Sequence, residues 1–342
     1  MITKVIREEL VQKVKKAVEK HNRFVIVAHV SPDGDALGAS LGLYHFLGEM
    51  EKEVTVIYAD SVSDNLKWLP GVKDALYYEE VPEAANAEIA AAEVIFCVDF
   101  NAAKRMGAMA SEVVGANALR IMVDHHLYPE DFCQIVISHP EISSTSELIF
   151  RLICRMGFFD MINLDIATVI YTGMMTDTGA FTYNSNGPEI YVIISELLKI
   201  GINKDKIYDR VFNTFSESRE RLMGYTISKK MKVFKRYKAA MISLTADELK
   251  QYDFKKGDAE GFVNIPLSVK GVVFSVFFRE DKEYIKVSLR SKGNFPANKV
   301  AEQFFNGGGH KNASGGEFFG TMAEAEQLFE SILPHFENYL ED

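Results

Sequence analysis

Apolar residues follow two different periods along the first half of the chain. Val5, Leu10, Val11, Val14 and Val18 recur at helical spacing, and the unbroken run Phe24-Val-Ile-Val-Ala28 then reads as a buried strand. Similar runs return at 54–58, 94–98, 119–123 and 135–137, separated by helical stretches at 36–50 and 145–156. Strands that are apolar on both faces and alternate with helices predict a parallel α/β sheet. In such sheets ligands collect beyond the carboxyl ends of the strands. The polar clusters begin at those ends: His29 follows Ala28, Asp99 follows Val98, and Asp124-His125-His126 follow Val123.

From 188 to 236 the pattern is helical and charged, without strand runs, over 191–200, 204–212 and 217–234. This predicts a helical connector that acts as a hinge. Beyond it, 239–244, 272–278 and 284–289 read as strands, and the tail from Ala323 to Leu340 puts Phe329, Ile332 and Phe336 on one helical face. The expected organisation is therefore α/β throughout: a mainly parallel-sheet domain over 1–187, the connector over 188–236, and a smaller mixed α/β domain over 237–342. No internal repeat or low-complexity tract interrupts it.

A length of 342 residues with 47% apolar and 25% charged residues suits two ordinary domains and excludes disorder. The longest apolar runs fall well short of the ~20 residues that cross a bilayer. The N-terminus carries mixed charge on a helical period rather than a basic segment before an apolar one, so a cytoplasmic chain with no membrane partner is expected. Cys97, Cys133 and Cys154 lie far apart in apolar stretches and read as core residues. Charge changes the picture more. Against 48 Asp and Glu stand 38 Lys and Arg, a net −10 that disfavours long duplex nucleic acid but leaves room for a small anionic substrate or bound divalent metal.

His29-Val-Ser-Pro-Asp33-Gly-Asp35 packs an imidazole and two carboxylates into seven residues, with Gly34 permitting a sharp turn. Taken alone it suits an Asp-Gly turn equally well. Asp99 alone suits a loop acid or helix cap, and Asp177, closing the apolar stretch 166–175, suits a cap. Adjacent histidines at a strand end beside Asp124 are a sharper signal, because neutral imidazole is the commonest metal ligand. Together, His29, Asp33, Asp35, Asp99, His125 and Asp177 form a carboxylate and imidazole set without thiolate. Such a set suits Mn²⁺ and admits Mg²⁺, Fe²⁺ or Co²⁺. Six ligands suffice for two ions if one carboxylate bridges, the arrangement used for phosphoester hydrolysis.

These segments, together with Val98-Asp99, Thr176-Asp-Thr-Gly-Ala-Phe181 and Gly307-Gly-Gly-His-Lys-Asn-Ala313, resemble the DHH phosphoesterase superfamily of the type with a C-terminal DHH-associated domain. The resemblance spans nearly the whole chain. In length it is most similar to the bacterial oligoribonuclease and pAp-phosphatase (nanoRNase) type. It implies one ion held by His29, Asp33 and Asp99, a second by Asp35, Asp99, His125 and Asp177, and Mn²⁺ as the preferred metal. It also implies that Asp99 bridges and that a hydroxide between the ions is the nucleophile. Asp124 would orient a histidine, and His126 would meet substrate phosphate or a ligand rather than an ion.

In the second domain the glycine triplet Gly307, Gly308 and Gly309 admits close approach of backbone amides to an anion, with His310 and Lys311 as donors, or equally a tightly packed turn. The resemblance favours substrate binding, and Arg290 adds a guanidinium suited to phosphate. Arg105, shortly after Asp99, is a further candidate. The expected substrates are short single-stranded oligoribonucleotides cut to mononucleotides and 3'-phosphoadenosine 5'-phosphate (pAp) cut to AMP and phosphate. Rival readings are a linear or cyclic dinucleotide phosphodiesterase acting on pApA or cyclic di-AMP, a pyrophosphate or polyphosphate hydrolase, and a nucleotide sensor without turnover. Oligomeric state is left open, as monomer or homodimer.

Overall fold

The computed structural model describes residues 4–255 and 257–339 and divides into two compact units, 1–214 and 215–342. The first unit opens with helix α1 (Glu8–Lys20), whose Leu10, Val11, Val14 and Val18 are buried as their spacing requires. Then follow β1 (Arg23–Val27), α2 (Gly34–Glu49), β2 (Glu53–Tyr58), the two-residue strand β3 (Leu76–Tyr77), α3 (Pro82–Ala91) and β4 (Val94–Val98). The unit continues through α4 (Ala110–Gly115), β5 (Leu119–Asp124), β6 (Ile135–Ser138), α5 (Thr145–Met156), α6 (Leu164–Asp177), α7 (Pro188–Ile200) and α8 (Lys204–Phe212).

All six strands are parallel, in the order β3-β2-β1-β4-β5-β6. Alternate residues of one strand serve two cores: Phe24 and Ile26 pack on one face of the sheet, Val25 and Val27 on the other. This double burial explains why the strands read as unbroken apolar runs. Strand order reverses between β1 and β4, and a crevice for ligands is expected beyond the carboxyl ends at that point.

Helices α2 and α6 approach closely on one face of the sheet. A Cβ built on Gly38 would lie 2.7 Å from the Val169 carbonyl oxygen and 2.8 Å from the Gly173 Cα. Only glycine at 38 admits this approach, and it brings the start of α2, at Asp35, beside the end of α6, at Asp177.

The second unit contains α9 (Glu217–Tyr225), β7 (Lys232–Phe234), β8 (Ala239–Leu244), α10 (Ala246–Gln251), β9 (Phe274–Glu280), β10 (Ile285–Ser291), α11 (Ala297–Phe304), β11 (Gly308–His310), β12 (Ala313–Phe318) and α12 (Met322–Ile332). Its six strands run β11-β12-β10-β9-β8-β7 and are antiparallel except for the β8–β9 pair. Phe274, Phe278, Phe295, Phe305 and Phe329 fill the core between sheet and helices.

Two expectations need correction. The stretch 217–234 is α-helical only to Tyr225; after a π-turn at 226–230 it becomes β7, because Lys232, Val233 and Phe234 pair with β8. The stretch 188–236 is thus not one connector: α7 and α8 pack in the first unit and α9 and β7 belong to the second. The tail is helical from Met322, tightening to a 3₁₀ turn over 333–339, while Leu340 lies outside the described residues. Among the described residues no helix is long and apolar enough to cross a membrane.

Candidate metal centre

Three strands deliver the polar groups, as their apolar runs predict. His29 lies two residues beyond β1, Asp99 directly follows β4, and Asp124 ends β5 with His125 and His126 after it. Asp99 takes a left-handed backbone conformation, φ +64°, while its N–H still donates to the Val123 carbonyl at 3.0 Å. That geometry costs a non-glycine residue about 1 kcal/mol or more, as is common where a side chain must be aimed. Asp33 caps α2, accepting from the amides of Asp35 (3.0 Å) and Ala36 (3.1 Å), a role it fills alongside its place in the cluster. Asp99 caps no helix.

The six expected ligands come together in two groups. His29, Asp33 and Asp99 form one and Asp35, His125 and Asp177 the other, with a donor atom from each member within 4.8 Å of the rest. Asp99 links them: its Oδ2 lies 3.4 Å from His29 Nε2 and its Oδ1 lies 3.6 Å from His125 Nε2. Asp35, Asp99, His29 and His125 form a buried floor, whereas the side chains of Asp33 (56% exposed) and Asp177 (30%) stand at the open side.

The donor geometry fits cations better than hydrogen bonds. His29 Nδ1 faces the Val30 carbonyl at 2.8 Å and His125 Nδ1 the Ile142 carbonyl at 3.2 Å. With the proton on Nδ1, both Nε2 lone pairs point toward carboxylates. Nε2–carboxylate separations of 3.4–3.8 Å exceed a hydrogen bond. They match two ligands each about 2.0–2.2 Å from a shared ion. Five clustered carboxylates, Asp35, Asp99 and Asp124 buried with Asp33 and Asp177 at the open side, also need positive charge. Without a cation, protons supply it. Burial opposes charge on His29, but Asp33 and Asp99 outweigh it and push the imidazole up to about 10; Asp177, Asp99 and Asp35 do the same for His125. Burial and the neighbouring acids raise Asp177 to about 6 and Asp35 well above the carboxylate range. For Asp99 burial is outweighed by His29, His126 and His125, which hold it low.

Asp124 accepts from His126 twice, from the backbone N–H at 3.0 Å and from Nδ1 at 2.7 Å, so it fixes that ring. His126 Nδ1 lies 3.9 Å from Asp99. Arg105 is half-buried; its carbonyl accepts from Val30 N–H at 2.8 Å and its Nε is buried without a partner.

Sequence reasoning missed the segment Ser143-Ser-Thr-Ser146. Ser144 caps α5 by accepting from Glu147 N–H. The amides of Thr145 and Ser146 then donate to both oxygens of Asp35, at 2.6 and 2.8 Å, and the Thr145 hydroxyl donates to Asp99 at 2.8 Å. The legible signal was a cap residue followed by Glu three positions later.

In the second unit, Arg290, Ala313 and His310 stand in register across β10, β12 and β11, so Arg290 and His310 share a sheet face. The glycine triplet is not an open loop. Gly308 and Gly309 lie in β11, a Cβ on Gly307 would collide with the Gly315 carbonyl oxygen, and one on Gly309 would sit 2.7 Å from the Ala313 carbonyl. Close strand packing therefore accounts for Gly307 and Gly309, as the packed-turn alternative required.

Comparisons with known proteins agree with this construction. Residues 23–174 match the DHH family, N-terminal domain, and residues 237–342 match the DHHA1 domain. The chain is 32% identical to the bifunctional oligoribonuclease and PAP phosphatase NrnA of Thermus thermophilus, over 95% of this chain and 91% of that one. It is 23% identical to NrnA of Bacillus subtilis, over 93% and 96% of the two chains. Among solved structures, an exopolyphosphatase-related protein from Bacteroides fragilis is 59% identical over the full length of both chains, with a TM-score of 0.96. The strand-end histidines and carboxylates, the two domain matches and the full-length similarity together make the chain a member of the DHH phosphoesterase family, with a DHHA1 domain as its second part.

Proposed function

We propose that this chain is a Mn²⁺-dependent phosphoesterase that cuts short oligoribonucleotides to mononucleotides and pAp to AMP and phosphate. The observation that carries the reading is the pair of three-ligand groups joined at Asp99. The substrate class rests on the full-length relatives that bear those two activities in their names. His29, Asp33 and Asp99 would hold one ion and Asp35, His125 and Asp177 the other, with Asp99 shared. Two such ions, when bound, lower the pKa of water and neutralise charge on the phosphoryl group.

The chain's own residues do the rest. Val30 and Ile142 carbonyls set the tautomers of His29 and His125, keeping both Nε2 atoms as ligands. Asp124 holds His126 by its Nδ1, which aims Nε2 at a phosphoryl oxygen of the substrate. Asp33 and Asp177, on the open side, define where the phosphate enters. In the second unit, Arg290 and His310 supply anion contacts from their common sheet face, and the half-buried Arg105 contributes a guanidinium in the first.

The test is a hydrolysis panel of pAp, pApA, a five-nucleotide RNA, cyclic di-AMP and pyrophosphate. Each is run with EDTA and then with added Mn²⁺, Mg²⁺ or Co²⁺. Release of mononucleotides from the RNA and phosphate from pAp, abolished by EDTA and restored best by Mn²⁺, is the expected result. Preference for cyclic di-AMP or pyrophosphate overturns the substrate assignment. Activity undiminished in Asp99→Asn overturns the metal centre.

A further inference from the structure

Thr145 makes contact with both halves of the acidic cluster. Its backbone N–H donates to Asp35 Oδ2 at 2.6 Å, and its side-chain Oγ1 donates to Asp99 Oδ1 at 2.8 Å. It is fully buried, as are Asp35 and Asp99 to within 2%, so bulk water cannot replace either bond. The neighbouring Ser146 N–H takes the other Asp35 oxygen at 2.8 Å, and the Ser146 hydroxyl the Asp35 carbonyl at 3.2 Å. Asp35 is thereby held by both oxygens, and its orientation is set by the first turn of α5 rather than by its own helix.

The hydroxyl does something the amides do not. Asp99 must present Oδ2 toward His29 and Oδ1 toward His125, and its carboxylate can meet both only in one rotation about the Cβ–Cγ bond. Of the two oxygens, Thr145 grips the one on the His125 side, using one of its lone pairs and leaving the other. We propose that Thr145 is a positioning residue that locks the rotation of the Asp99 carboxylate and so sets the affinity of the centre for two divalent cations, an inference that rests on the metal-centre reading above.

The threonine is suited to this task. One hydroxyl on a β-branched side chain has few rotamers to lose, and the amide of the same residue ties Asp35 to the same rigid helix start. Groups that orient metal ligands in this way commonly change affinity 10–100-fold when removed.

The test is Thr145→Val, which keeps the shape and the backbone amide and removes only the hydroxyl, beside Thr145→Ser, which keeps the hydroxyl. Binding of MnCl₂ to metal-free protein is measured by calorimetry, with melting temperature recorded with and without Mn²⁺. Thr145→Val is expected to bind Mn²⁺ about 10–100-fold more weakly than the parent. The Mn²⁺-induced rise in its melting temperature should shrink accordingly, while Thr145→Ser stays within a few-fold of the parent. Should Thr145→Val fail to fold, Thr145→Ala takes its place against the same serine control. Parent-like Mn²⁺ affinity in the folded valine or alanine variant overturns the proposal, even if the metal-free melting temperature falls, since that pattern marks a purely structural role. A parent protein that binds no Mn²⁺ overturns the metal-centre reading instead, so the two failures are distinct.

Discussion

Gly38→Ala should damage the metal centre from one helical turn away. The Cβ of alanine would sit 2.7 Å from the Val169 carbonyl oxygen, 2.8 Å from the Gly173 Cα and 2.5 Å from Ser146 Oγ. Ordinary contact begins near 3.4 Å, so α2 and α6 must separate by about 0.7 Å, and two of the three obstacles are backbone that cannot rotate aside. Overpacking of this kind costs about 1–3 kcal/mol, while alanine regains about 1 kcal/mol of helix propensity. The net loss of about 0–2 kcal/mol lowers the melting temperature of a unit this size by up to about 8 °C. The larger effect is on geometry, because Asp35 opens one helix and Asp177 closes the other. A misplacement approaching 1 Å costs up to about 100-fold, so kcat/KM should fall about 10- to 100-fold, with weaker Mn²⁺ binding. Gly48→Ala is the control: it lies in the same helix with nothing within 4 Å of the added carbon, and should be neutral or stabilising by up to about 1 kcal/mol. The assays are steady-state hydrolysis of pAp and differential scanning calorimetry. A Gly38→Ala enzyme within about twofold of the parent in kcat/KM, whatever its stability, would refute the claim that helix approach sets the spacing of the two carboxylates.

Other perturbations follow from single contacts. Arg151→Met strands Glu147, its buried partner at 2.6 Å; breaking such a pair costs about 3–5 kcal/mol, and calorimetry should show a melting temperature lower by about 6 °C or more. Arg105→Met should raise KM for pAp about tenfold or more with kcat little changed, as loss of one charge-assisted phosphate contact predicts; an unchanged KM removes Arg105 from the substrate path. Glu93 is held at about 2 by the backbone amides of Asn22 and Arg23 and by His21. A depressed folded-state pKa contributes stability that is complete above about 4.5 and lost as pH falls through about 2. Urea midpoints of Glu93→Gln should therefore approach those of the parent at the acid end of this window and fall below them above it.

Much of this was legible because a buried parallel sheet writes itself in unbroken apolar runs, and the residue after each run is placed by the sheet. His29, Asp99, Asp124 and His125 could be found in that way. Asp177 was visible as the end of an apolar helix. What could not be read was everything supplied by the backbone. The amides of Thr145 and Ser146 carry no side-chain signature, and nothing in the sequence announces that Asp99 adopts a positive φ. Helix α3 escaped notice because its alanine-rich stretch buries only Ala85 and Ile89, too few to set a period. Strand β7 was hidden for a related reason: exposed Lys232 and Val233 at a sheet edge show little alternation. The glycines around 307–316 suggested a ligand loop and a packed turn with equal force, since both demand a missing Cβ; only the neighbouring carbonyls separate them.

The path of the chain through the first sheet also orders events in time. The six donors are distributed from His29, after β1, to Asp177, at the last residue of α6. A chain emerging from the ribosome exposes His29, Asp33 and Asp35 early, gains Asp99 and His125 as β4 and β5 are added, and completes the set only when α6 has emerged and docked against α2. On the proposed metal-centre reading, a partly synthesised chain would therefore be a poor competitor for divalent ions, and capture at full affinity would coincide with completion of the first core.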